Sequence, residues 1–345
     1  MDTTARYSRQ ILFSPIGAKG QEQLKQKKVV IVGMGALGTV LANHMVRTGV
    51  GQVRFIDRDF VEASNLQRQM LYDEQDAKEH LPKAIAAEAK LRAINSGVSI
   101  NGIIADLHAG NAETLLQDAD VILDGTDNFQ VRYLINDVAV KHRIPWVYGG
   151  AVSSRGMFAV IRPGITPCFR CLFPHAPVGR GETCDTVGVI GPIIHIIASY
   201  QATEALKILI EAPSTINSTL EQFDLWDNDR MAMDISQGKN PSCPACAQRR
   251  FDYLELHGAG GETEEFVSLC GRDMIQISPL HHRAVDFGVL AERFAPLGSV
   301  EQNRFLLRFH VDNHTLVFFA DGRVLVQGTS EIAVARSLYA KYVGH

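Results

Sequence analysis

Three groups of side chains in this sequence are spaced for chemistry. The first is glycine: Gly33, Gly35 and Gly38 fall as G-x-G-x-x-G directly after the β-branched run 29–32. In a strand–turn–helix setting, Gly33 permits the tight turn and Gly35 lets a phosphate approach the backbone. Gly38 lets helix and strand pack closely. The helix N-terminus that follows offers unpaired N–H groups and partial positive charge to an anion. A nucleotide phosphate is the expected occupant. A glycine turn that binds nothing is the alternative.

The second group is ionic. Asp57 ends a strand about 20 residues past the glycines, where a carboxylate meets an adenine ribose hydroxyl. A helix cap is its other reading, and ribose alone does not separate NAD from ATP. The stretch 59–69 is polar and amide-rich and carries Arg68, and Lys83 opens a helix over 83–94. Cleaving a triphosphate builds charge on the departing pyrophosphate, which Arg and Lys stabilise. Asp127 follows the strand 121–124, and ligands of open α/β sheets bind beyond such strand ends. A carboxylate there can hold Mg²⁺ against phosphates. Singly, Arg68 and Lys83 read as solvated charges, and Asp127 as an N-cap for a helix over 129–142. Together with the glycine turn they favour a triphosphate over a nicotinamide cofactor.

The third group is cysteine. Cys168 and Cys171, and Cys243 and Cys246, form two C-x-x-C pairs far apart in sequence. Their spacing suggests one tetrahedral Cys₄ zinc site. Four thiolates saturate Zn²⁺ and leave no water to activate, so the metal reads as structural. Unliganded buried or redox cysteines are the alternative. Cys184 sits in a glycine-rich polar stretch, 180–185, and reads as either a reactive or an inert loop thiol. Cys270 lies in an apolar context and reads as packed.

The elements that must position these groups follow from the patterning. With 345 residues, 46% hydrophobic and 21% charged, the chain has ample core for one large or two unequal domains. A net charge of −4 argues against a general nucleic-acid binder. No run is apolar and long enough to span a bilayer, and no apolar signal region opens the chain. A cytoplasmic protein is expected. Helices are expected over 20–28, 39–48, 83–94, 112–117, 129–142 and 193–211, and strands over 29–32, 53–57, 100–104, 121–124, 146–148, 157–161, 220–225 and 230–235. The helix over 193–211 has a nearly continuous apolar face, and His195 within it reads as a core histidine. A linker by composition, 257–262, separates residues 1–255 from a small α+β module, 256–345. That module is expected to carry strands over 274–277, 304–311, 316–320 and 323–327. Its helices are expected over 285–294 and 331–342, the last capped by Ser330.

The combination of G-x-G-x-x-G, Asp57, Ser64-Asn65-Leu66-Gln67-Arg68-Gln69, Pro82-Lys83, Thr126-Asp127-Asn128 and the two C-x-x-C pairs resembles the ThiF/MoeB family, relatives of the ubiquitin-activating enzymes. The resemblance covers roughly residues 5–250. It implies a Rossmann-like fold with a mixed sheet and a zinc site. The implied reaction is ATP-dependent adenylation of the C-terminal glycine carboxylate of a ubiquitin-like sulfur carrier. In that reading Asp57 binds the ribose, Asn65, Arg68 and Lys83 handle the phosphates, and Asp127 positions Mg²⁺. Arg9, otherwise a solvated charge, resembles the family arginine supplied across a homodimer into the partner's site. Cys184 matches the loop cysteine that can bond to the activated carrier. The family's usual Gly before Pro-Lys is replaced by His80-Leu81, which implies a local loop change. The sulfur is expected from a separate donor such as a cysteine desulfurase. Adenylation of another acyl substrate, a peptide or a modified tRNA, and a non-adenylating NAD-binding oxidoreductase or nucleotide sensor are the competing readings.

Overall fold

Val29, Val30, Ile31 and Val32 are all buried, as a strand covered on both faces requires. In the computed structural model they form β1, Lys28–Val32. The described residues are 3–175, 184–255, 264–268, 273–279 and 285–343. The chain divides into two units, residues 1–182 with 187–257 and residues 183–186 with 258–345.

In the first unit β1 pairs in parallel with β2, Gln52–Asp57, which pairs with β3, Ser99–Ile104. On its other side β1 pairs with β4, Val121–Asp124, which pairs in parallel with β5, Trp146–Val152. β6 (Arg155–Ile161), β7 (Thr219–Asp224) and β8 (Asp229–Asp234) then add antiparallel, giving the order β3-β2-β1-β4-β5-β6-β7-β8. The sheet reverses direction of growth between β1 and β4, the switch point at which ligands of such sheets bind.

Ten helices are described in this unit: α1 Thr3–Leu12, α2 Gly17–Leu24, α3 Ala36–Thr48, α4 Glu74–Lys78, α5 Lys83–Ile94, α6 Ala109–Leu116, α7 Phe129–His142, α8 Phe169–Leu172, α10 Gly191–Leu209 and α11 Asp252–Glu255; a short α9, Cys184–Val187, falls at the division between the units in sequence. Alternation along β1 sorts them into two layers. Val29 and Ile31 face a core built with α3, α5 and α10. Val30 and Val32 face one built with α6 and α7.

Four expectations need correction. The helix expected over 20–28 is α2, which ends at Leu24, because Lys28 is already paired with Gln52 in the sheet. α10 is not buried all round: Ile193, Ile197, Ala198 and Ala205 are buried, but Ile196 is exposed, and so is His195, which is not a core histidine. The N-cap of α7 is Asn128, whose side chain accepts the Gln130 and Val131 N–H groups, not Asp127. The last helix begins after Glu331 with no side-chain cap from Ser330. Thr329 Oγ1 accepts the Glu331 N–H instead, at 3.1 Å.

The second unit is an antiparallel sheet in the order β11-β12-β13-β14-β10-β9. Its strands are β9 Glu264–Ser268, β10 Met274–Pro279, β11 Ser299–Gln302, β12 Leu306–Val311, β13 His314–Phe319 and β14 Val324–Gln327. Helices α12, Phe287–Phe294, and α13, Ile332–Tyr342, cover one face, where Phe294 stacks on Phe309 with ring centres 4.5 Å apart. Cys270 and the linker over 257–262 lie outside the described residues. Among the described residues no helix is long and apolar enough to cross a membrane.

Candidate nucleotide site and metal centre

The glycine turn is shaped by close approaches. Gly33 has φ +88°, and a Cβ there would stand 2.8 Å from the Gly125 carbonyl oxygen of the β4 turn. A Cβ on Gly38 would stand 1.9 Å from Gly33 O, so α3 seats against the turn only because this residue has no side chain. Gly35 differs. A Cβ there would meet nothing nearer than Gln69 Nε2 at 3.9 Å. Gly35 is the N-cap of α3 and no side chain caps that helix end. Its first-turn N–H groups therefore face open ground that suits an anion.

Asp57 closes one side. It is 9% exposed, and its carboxylate accepts the Met34 N–H at 2.6 Å and the Asp59 N–H at 2.7 Å. Burial raises its pKa, while the Lys83 charge and those two N–H groups oppose the rise. Lys83 is buried, and its ammonium lies 3.2 Å from Asp59 Oδ2. The Tyr72 hydroxyl donates across Met34 O (2.8 Å) and Lys83 O (3.2 Å), tying the glycine turn to the start of α5. His80, which stands where a glycine was expected, takes a left-handed backbone, φ +48°, so the turn keeps a conformation that favours glycine.

Asn65 is buried in a short 3₁₀ turn and accepts the Glu62 N–H at 3.2 Å. Arg68 donates to Ser64 O at 2.9 Å and has no carboxylate partner among the described residues. Asp127 is exposed, with no hydrogen-bond or ion-pair partner among the described residues. The turn that carries it is rigidly built. Buried Asp124 pairs with Arg132 Nε at 2.9 Å, and Arg132 Nη2 donates to Thr126 O (2.6 Å) and Gly149 O (3.1 Å). Gln201, from α10, donates to Asp124 O at 2.8 Å. An exposed carboxylate at the end of a fixed strand offers the hard oxygen donor that Mg²⁺ takes.

Two residues of this crevice carry no role in the sequence reading. Gln69 is 3% exposed, and its Oε1 has no hydrogen-bond partner among the described residues, beside the open ground at Gly35. Arg58 pairs with Asp106 in the loop after β3. Gln69 ends the amide-rich stretch 59–69. Nothing local in the sequence marks Arg58.

The four cysteines converge separately. Their Sγ atoms all lie within 4.8 Å of one another, with 3.5 Å between Cys168 and Cys243 and 3.4 Å between Cys171 and Cys246. Tetrahedral Zn²⁺ with bonds of about 2.3 Å places its sulfurs roughly 3.8 Å apart, so the set fits that ion. Arg249 reaches the last turn of α7, donating to Val140 O (3.4 Å) and Lys141 O (3.2 Å). That end of α7 lies about 18 Å from the Asn128 end, by helix rise. The cysteine cluster thus sits away from Asp127.

Arg9 is not brought to the crevice. It is exposed on α1, where Gln10 donates to Thr48 O (3.0 Å) at the far end of α3. The Cys184 backbone opens α9, and its side chain lies outside the described residues, as do 180–182.

The comparisons with known proteins agree with this architecture. The sequence model of the ThiF family matches residues 7–245. The chain is 44% identical to the sulfur carrier protein ThiS adenylyltransferase of Bacillus subtilis, over 99% of this chain and 100% of that protein. It is 36% identical to the SAMP-activating enzyme E1 of Haloferax volcanii, over 72% of this chain and 91% of that protein. Among solved structures, E. coli MccB with MccA-N7isoASN shares the fold at a TM-score of 0.62 and 22% identity, over 72% of this chain and 75% of that one.

Proposed function

The chain belongs to the ThiF family, and from that premise we propose that it adenylates the C-terminal glycine carboxylate of a ubiquitin-like sulfur carrier with ATP. The observation that carries the reading is the crevice at the switch point. An uncapped helix end, a ribose-type carboxylate, a buried lysine and a partnerless carboxylate converge there on one glycine turn. A hydride transfer releases no pyrophosphate, so it has less need of the last two.

The chemistry asks little of acid–base groups. The carrier carboxylate is already ionised and attacks the α-phosphorus. A carboxylate–phosphorus bond forms, the bond to the bridging oxygen breaks, and pyrophosphate leaves with the electron pair. The product is a mixed anhydride with AMP. The protein's work is positioning and charge compensation. The α3 N-terminus and Gly35 hold phosphate, Asp57 holds the ribose, Asn65 fixes the 3₁₀ turn, and Arg68 and Lys83 compensate the leaving pyrophosphate. Asp127 would hold Mg²⁺, which supplies further charge neutralisation when bound. Zn²⁺ would be held by Cys168, Cys171, Cys243 and Cys246, where it would fasten the segment after β8 to α7 without taking part in the chemistry. Cys184 is the candidate for later covalent capture of the activated carrier. Sulfur then comes from a separate donor, and Arg9 completes the site of a second copy.

Exchange of labelled pyrophosphate into ATP tests the reading. Exchange should require a carrier ending in Gly-Gly. Arg68→Ala, Lys83→Ala and Asp127→Ala should each lower it by at least about a hundredfold, the scale of losing one charge-stabilising group. Cys184→Ala should leave it intact. Exchange without any carrier, or binding of NAD(H) in place of ATP, would overturn the proposal.

A further inference from the structure

The residue after the ribose carboxylate is placed where a nucleobase must lie. Read along the sheet, the phosphate end sits on the β1–α3 turn and the ribose at Asp57, the end of β2. The next strand outward is β3. Arg58 stands at that step. Its Nη1 lies 3.1 Å and 3.2 Å from the two carboxylate oxygens of Asp106, just past the end of β3. Its Nε lies 3.9 Å from Asp59 Oδ1, and Asp127 adds to the negative field on it. Asp106 is itself tied down, because Asn111 Nδ2 donates to its carbonyl at 2.8 Å. A quarter of the Arg58 side chain remains exposed.

We infer that Arg58 is the platform for the nucleobase, its guanidinium plane stacking on the adenine ring while Asp106 holds the plane in place. A guanidinium is flat, weakly hydrated and permanently charged, and it stacks on aromatic faces as an ammonium does not. Fixing its edge with a carboxylate removes the rotamer freedom that binding would otherwise have to freeze. The nearby carboxylates keep Arg58 from competing for the phosphates. Asp57 therefore reads the sugar and Arg58 the base, from adjacent positions at one strand end. This inference rests on the adenylation reading only for its ligand, a nucleoside triphosphate.

Calorimetric titration of the full chain with ATP and with ribose 5′-triphosphate, which lacks the base, tests it. Arg58→Ala should weaken ATP about tenfold, the low end of what stacking on a base supports, and shift ribose triphosphate by less than about twofold. Arg58→Lys keeps the charge without the plane and should behave like Arg58→Ala, which also covers failure of the alanine variant to fold. Asp106→Asn should fall between. Equal loss for both ligands, full retention by Arg58→Lys, or no loss at all would overturn the inference and leave the adenylation proposal standing. A wild-type chain that binds ATP but catalyses no carrier-dependent exchange would overturn adenylation alone. One that binds no ATP would overturn both.

Discussion

Asp137 lies in the middle of α7 with its side chain fully buried. Burial pushes its pKa up to about 6, against the opposing Tyr253 N–H and Arg170 charge and with help from Asp252. The native state thus holds this proton more tightly than the unfolded chain, whose carboxyl sits near 3.8. Stability from this group falls as pH rises between those two values, and the full cost stands above the upper one. At about 1.36 kcal/mol per pKa unit the cost is on the order of 3 kcal/mol. Asp137→Asn removes the charge and keeps an oxygen for the Tyr253 N–H, 3.0 Å away. The variant should melt above the wild type near pH 7.5, and the difference should shrink as pH falls and close by about pH 3.5, below the unfolded carboxyl's value. A variant that melts lower near neutrality would show that attraction to Arg170 outweighs burial. The same contrast between type and environment explains what the sequence made legible at this scale. Gly33, Gly38, Asp57 and Lys83 announce themselves by kind and spacing, and they meet in one crevice. Arg58, between two acids, does not, because its partner Asp106 is set by the β2–β3 register. The choice of Asn128 over Asp127 as cap is a matter of one residue of backbone geometry, which composition cannot decide.

Among the elements, the two cysteine knuckles act as a clip. One follows β6 at the start of α8 and the other precedes α11, and Arg170 and Asp252 join them at 2.9 Å. Tyr253 stacks on Tyr133 of α7 with ring centres 4.8 Å apart. Zn²⁺ removal by chelation, or Cys246→Ser, should release the segment after β8 from α7, lower the melting temperature and expose residues 235–242 to protease. ATP affinity should stay within about threefold, since the cysteines themselves pack at the Val140 end of α7, about 18 Å from Asn128 by helix rise. Parallel loss of zinc and ATP binding would show that the clip shapes the crevice. Elements with a strong period or an apolar run, such as β1, α5, β4 and α7, were legible from the sequence to within a residue or two. The strands β9 and β11 were not, because Glu264-Glu265 and Ser299-Val300-Glu301-Gln302 carry too little apolar signal and form edges held by their neighbours. α10 misled because its isoleucines wrap more of the helix than the sheet covers.

At the scale of the molecule the position of Arg9 matters most. α1 is pinned to the lower ends of α3 and α5: Gln10 donates to Thr48 O at 3.0 Å, Arg6 to Ile94 O at 2.9 Å, and Asn95 to the Tyr7 hydroxyl at 2.8 Å. The thirteen residues of α3 put that end about 18–20 Å from the glycine turn at 1.5 Å per residue, farther than an arginine side chain extends. Arg9 cannot serve the crevice of its own chain while α1 stays there. Leu12 and Phe13, beside it, are 72% and 60% exposed, an apolar pair that a second copy would cover. A two-fold homodimer would then send each Arg9 into the partner's site. Arg9→Ala and Lys83→Ala chains should each be inactive in pyrophosphate exchange, while Arg9→Ala still binds ATP. Mixed after dissociation in equal amounts, they should recover about a quarter of wild-type exchange, because half the dimers are mixed and each has one complete site. No recovery, or a wild-type chain that sediments as a monomer under assay conditions, would show that Arg9 does not act across an interface. Full activity of Arg9→Ala alone would show that it does not act at all.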